Sequence, residues 1–147
     1  MLNFIAIIAA ATSLMSGVQE PGDWRQVDEG PEFFAALDVN SISGPPTARK
    51  ALGVRVSPQS DGLSGYLIVD LVFNCEALTF GADKITFFAL DGTLIEEFDW
   101  PSDPAPINEE EGNLGAANAV CDGQMPPGPG FGSAQAYAQS IRASTGS

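Results

Sequence analysis

The chain has 147 residues, 44% of them hydrophobic, enough for one domain with a core of its own. Six basic against nineteen acidic side chains leave a formal charge of −13, a surface that repels phosphate backbones and anionic lipid headgroups and so argues against nucleic acid as a partner. There is no histidine, which removes the commonest general base, the commonest transition-metal ligand and the pH switch of neutral solution together.

Residues 1–17, MLNFIAIIAAATSLMSG, place an apolar run from Phe4 to Ala11 ahead of the small residues Ser13, Ser16 and Gly17. This is the layout of a cleaved secretory signal peptide. No Lys or Arg precedes the run, so a buried helix or an uncleaved anchor are the competing readings. The run is shorter than the ~20 residues that cross a bilayer, and the mature chain is expected not to insert in a membrane. No cysteine follows it, so a lipid-modified amino-terminal cysteine is not available. The expected address is the periplasm or the exterior. No charged side chain precedes Glu20, and cleavage leaves the charge at −13.

Residues 20–122 read as the folded domain. Asp23–Asp28 (DWRQVD) is a first strand, and Glu32–Val39 (EFFAALDV) a second, although that apolar run also suits a helix. Ser43-Gly44-Pro45-Pro46 is a loop, because proline fixes φ and removes a donor. Ala51–Val56 alternates, with Leu52, Val54 and Val56 on one face. Pro58–Gly65 is turn chemistry. Tyr66–Cys75 is the clearest strand: Leu67, Val69, Leu71, Phe73 and Cys75 share a face free of charge and should look toward the core.

Lys84–Leu90 and Thr93–Trp100 flank Asp91-Gly92, a pair that favours a two-residue hairpin turn with positive φ at both positions. That turn would pair Leu90 with Thr93, Phe88 with Ile95, Thr86 with Glu97 and Lys84 with Asp99. Pro101–Pro106 ends the sheet. Asn108 is a candidate N-cap for a helix over Glu109–Val120, with three glutamates in its first turn and Gly112 and Gly115 weakening it. Residues 123–147 begin with MPPGPGFG after a short lead and read as a Pro/Gly-rich, mostly disordered tail, with SAQAYAQSIRASTGS able to form one marginal turn of helix.

Two cysteines in an exported chain point to a disulfide, Cys75–Cys121. Without histidine or a C-x-x-C spacing, a reactive or metal-binding thiol pair is the weaker reading. Glu96, Glu97 and Asp99, and Glu109, Glu110 and Glu111, read as solvated faces, because neighbouring acids on a strand point to opposite sides. Asp38-Val39-Asn40 opens like a calcium loop, but Ile42 and Ser43 stand where a ligand and a glycine belong. Serine nucleophiles lack a base, and no glycine-rich phosphate loop is present. No catalytic residue, cofactor or metal site is assigned.

Taken in order, Trp24 with Val27, Phe33-Phe34, Asp38, Ser41-Ile42, the strand ending in Cys75, Asp91-Gly92, Trp100 and Val120-Cys121 resemble the bacterial surface-adhesin E family over roughly residues 23–122. The resemblance implies a small antiparallel sheet with a helix tethered by the disulfide, and a surface role in binding host or matrix proteins. The chain departs from the family's anchored members in its acidic balance, its added tail and its lack of a lipid-carrying cysteine.

The expected fold is α+β: a twisted antiparallel sheet of five to six strands with one C-terminal helix packed on it. The expected function is a non-enzymatic exported binding module of the bacterial envelope with a protein partner. The alternatives are an inhibitor or accessory subunit of another envelope protein, suited by charge to a cationic target, and a hydrolase using carboxylates alone.

Overall fold

The computed structural model of the protein describes residues 22–29, 33–57, 65–108 and 113–145. The expected signal segment 1–17 lies outside them, as do Glu109, Glu110 and Glu111. Strands β1 (Trp24–Glu29), β2 (Phe34–Ser43), β3 (Arg49–Val56), β4 (Tyr66–Asn74), β5 (Thr79–Phe88) and β6 (Leu94–Asp99) form an antiparallel meander in chain order. A short β7 (Ala105–Pro106) runs beside β5 beyond the end of β6. Helices α1 (Leu114–Asp122) and α2 (Ala134–Ser144) complete the fold. It is α+β, a six-stranded antiparallel sheet with a helix tied on by a disulfide.

The pleat divides the sheet into two apolar faces. Ala36, Val54 and Ile68 stand side by side on β2, β3 and β4, and Leu37, Gly53, Val69 and Ile85 form the neighbouring row. Adjacent residues on a strand point to opposite faces. The first row therefore belongs to a core shared with Tyr137, Ala138 and Ile141 of α2. The second face meets α1, where Leu37, Ala51 and Phe73 pack against Ala116, Ala117, Ala119 and Val120. Leu71 and Cys75 pack on that side as expected, while Leu67 and Val69 are only half-buried.

Cys75, just past β4, is bonded to Cys121 in the last turn of α1, with 5.5 Å between their Cα atoms and a separation of 46 positions in sequence. Closing such a loop restricts the unfolded chain by about 4 kcal/mol in the chain-entropy model. Gly115 sits where α1 crosses β1, and a Cβ there would strike the Val27 carbonyl. The glycine that weakens the helix locally is what allows it to lie close.

The reading of residues 123–147 as a disordered tail is overturned for the described part, 123–145. The Pro/Gly run lacks regular structure, yet it crosses the β1 edge as a strap. Trp24 N donates to Phe131 O at 2.8 Å, Phe131 N to Trp24 O at 2.9 Å, and Gly22 N to Gly132 O at 2.9 Å. Ser133 then caps α2, its hydroxyl accepting from Ala136 N at 3.0 Å. Ala134, Tyr137, Ala138 and Ile141 recur at helical spacing and fill the sheet face opposite α1. Arg142, buried, holds both ends of the β3–β4 connection through Ser57 O at 2.8 Å and Gly65 O at 3.2 Å.

The helix expected over Glu109–Val120 is described from Leu114 to Asp122, so it extends beyond Val120. The hairpin turn is one residue longer than expected. Ala89 N donates to Thr93 O and Gly92 N to Ala89 O, both at 2.9 Å, and Gly92 alone has positive φ, 93°. This is a three-residue loop with a left-handed glycine. Phe88 consequently faces Leu94 rather than Ile95, and a bulge at Ile95 restores the expected pairs Thr86–Glu97 and Lys84–Asp99.

Candidate functional site

Helix α1 is nine residues long, about 13 Å at 1.5 Å per residue, and it is built on small side chains. It covers one end of its sheet face. Beyond it lies a groove of about 430 Å³. Leu67, Val69 and Ile85 form the floor, with Ala35 and Gly53 keeping it deep on the β2–β3 side. A Cβ on Gly53 would come within 2.9 Å of Leu71 Cδ1, so the glycine leaves room for that leucine across β3.

One wall is the segment from Trp100 to Ala105, and the opposite side is Val27 of β1. The wall is fixed although it is irregular. Trp100 N donates to Asp83 O at 2.8 Å, Ser102 N to Ala82 O at 3.0 Å, and Ala82 N to Ser102 Oγ at 2.8 Å. Asp83 is the extra residue of a bulge between β4 and β5, which turns its carbonyl toward this segment. Trp100 stands at the lip, 51% exposed. Its ring lies 5.7 Å from that of Phe98, which is itself 5.7 Å from Phe87, so an aromatic row leads away from the groove.

The polar groups in the groove are few. Asn113, buried at the start of α1, accepts from Asn108 N at 3.0 Å and donates to Pro106 O at 3.5 Å. Arg55 contributes a guanidinium that sits 4.1 Å from the Phe33 ring centroid. Asp103 is the sole carboxylate among the described lining residues. A glycosidase-type reaction needs two carboxylates at a set separation, and that pair is not formed by the described residues of this groove.

The residues singled out in the sequence fall elsewhere. Glu96, Glu97 and Asp99 are exposed on β6, the outermost strand, where charge discourages pairing with other chains. Lys84 pairs across the strands, but with Glu97 at 3.6 Å rather than with the directly opposite Asp99. The diagonal neighbour is within reach of a long side chain. Asp38 is buried, and its Oδ1 accepts from Asp23 N and Asn40 N, each at 3.0 Å. Ser41 donates to Asp38 O at 2.6 Å and accepts from Leu52 N at 2.8 Å, closing the irregular stretch between Asp38 and Ser43. These residues shape a bulge. Among the described residues, no three His, Cys, Asp or Glu side chains converge on a metal position. Among them, too, no helix is long and apolar enough to cross a membrane.

The groove has no motif, which is why sequence reasoning missed it. Its traces were Gly53 inside an alternating strand and a tryptophan placed just before prolines. Comparison of the chain with protein-family models, with curated proteins and with solved structures gave no match.

Proposed function

We propose that the protein is a non-enzymatic, exported binding module of a bacterial envelope, in the manner of the surface adhesins it resembles. Its groove beneath Trp100 takes an apolar side chain from the surface of a protein partner. The observation that carries this is the open apolar floor, framed by a hydrogen-bonded wall with an exposed tryptophan at its lip. Hot spots of protein interfaces are enriched in tryptophan, which buries a large apolar surface when a partner covers it. Export is supported by the signal-like segment 1–17 and by the disulfide. A non-enzymatic role is supported by the missing histidine and by the single carboxylate among the groove's described residues.

The test is a pull-down from envelope and extracellular proteins with the wild-type chain and with Trp100→Ala. The reading expects a saturable partner that the variant recovers less well. Recovery of nothing saturable, or equal recovery by both, would count against it.

A second reading, an inhibitor or accessory subunit of a cationic envelope protein, is favoured by the −13 charge and by Asp103 and Glu96 on the groove's side of the sheet. A lysozyme serves as probe. Binding that weakens as salt is raised supports charge-driven recognition, and salt-independent affinity argues against it.

A further inference from the structure

The outer edge of β1 is a second and chemically different surface. Trp24 spends its outward N–H and C=O on Phe131. Backbone groups alternate sides along an antiparallel strand, so those of Gln26 also face outward. The strap residue that comes opposite Gln26 is Pro129, which has no N–H, and there the strap's ladder stops. Gly130, between the two, lies so close to the Asp23 carboxylate that no Cβ would fit.

Past this point a cleft of about 460 Å³ opens between the β1 edge and the strap. Gln26–Glu29, Gly115 and Asn118 line one side, and Gln124–Pro127 the other. A space of this volume, open along one side, has room for a short chain segment. Two carboxylates, Asp28 and Glu29, stand on it. Arg25 does not offset them, because its guanidinium is held by Asp23 at 3.0 Å and by Gly128 O at 3.1 Å.

We propose that this cleft accepts an extended peptide segment of a partner protein, which adds a strand beside β1 and places basic side chains against Asp28 and Glu29. Gln26 supplies a main-chain donor and acceptor ahead of the bulge at Val27, whose carbonyl lies against Gly115 of α1, and the two acids beyond it select among extended segments by charge. The prolines of the strap form a wall that cannot itself zip onto the edge. This site is separate from the groove beneath Trp100 and stands or falls independently of it.

The experiment uses the full chain, uniformly labelled with nitrogen-15, and a short blocked peptide of alternating lysine and valine. The control is the same peptide with every backbone nitrogen methylated, which keeps the charge and removes the donors. Saturable shifts are expected at the amides of Gln26, Asp28, Gln124 and Met125, with slowed exchange at Gln26. The methylated peptide should bind at least about tenfold more weakly, as the loss of one or two backbone hydrogen bonds implies. Glu29→Lys, at an exposed position, should weaken the unmethylated peptide by about threefold or more. Shifts centred on Trp100 instead, equal binding of the methylated peptide, or no saturable response would each overturn the proposal.

Discussion

Tyr137 decides whether α2 is part of the folded unit or a loosely attached end. Its side chain is 1% exposed, its hydroxyl donates to Gln26 Oε1 at 2.8 Å, and its ring meets Phe131 edge-on at 5.5 Å. Tyr137→Phe removes only the hydroxyl. Gln26 is half-buried, so water can replace the lost donor, and the expected cost is about 1 kcal/mol. Tyr137→Ala also removes the ring from a closed apolar cluster and should cost about 4 kcal/mol. That is a large part of the ~5–15 kcal/mol that holds a domain of this size folded. Urea unfolding followed by tryptophan emission in a Trp100→Phe background reads both variants, because Trp24 is then the only tryptophan and it is 5% exposed and bridged to Phe131. If Tyr137→Ala stays within about 1 kcal/mol of wild type at an unchanged slope, α2 does not belong to the cooperative core and the packing argument fails.

Replacing Cys75 and Cys121 together by serine should lower stability by about 4 kcal/mol, visible as an earlier urea midpoint; a loss below about 1 kcal/mol would contradict the loop-closure account. Gly115→Ala should destabilise by about 1–3 kcal/mol although alanine is the better helix former, because its methyl meets the Val27 carbonyl; a more stable variant in thermal melts would refute the close approach. Burial pushes the phenols of Tyr66 and Tyr137 above their ordinary range, with the charges of Asp91 and Glu29 adding to the shift. A raised folded-state value means the native chain keeps a proton that the unfolded chain releases, so this contribution is intact below about pH 10 and is lost as pH rises further. Denaturation midpoints should therefore fall on the alkaline side, and the fall should be shallower in Tyr137→Phe. Midpoints that hold level to about pH 12 would refute it.

The sheet was legible because its strands carry the period that a pleat imposes. Leu52, Val54 and Val56, or Leu67 to Cys75, announce a strand whatever surrounds them, and the pair Lys84–Asp99 fixed a register that the structure keeps. The charge-free face of β4, Leu67 to Cys75, marks one core; the opposite face also packs, since Tyr66 and Ile68 lie beneath α2. That helix was readable in Ala134, Tyr137, Ala138 and Ile141, a regular apolar stripe, but the Pro/Gly run before it held the expectation to one marginal turn of helix in a mostly disordered tail. Composition could not say that the run has a strand edge to lean on, since that edge lies more than a hundred residues earlier in the chain. The groove was hidden for a related reason. It is made by the shortness of α1 and the bulge at Asp83, and neither leaves a pattern in the letters.

The strap and α2 have a consequence for when the protein folds. The hydroxyl of Tyr137 reaches Gln26 across 111 positions of sequence, and Phe131 pairs with Trp24 across a similar span. Contacts of such separation form late, since the chain between them must first be brought round. Until residues 131–145 have left the ribosome, one face of the sheet stands bare and β1 has an open flank. A chain stopped before Ala134 lacks the side chains that bury Trp24, Val54, Val56 and Tyr66, so that apolar face stays open to water until the last residues of the helix arrive.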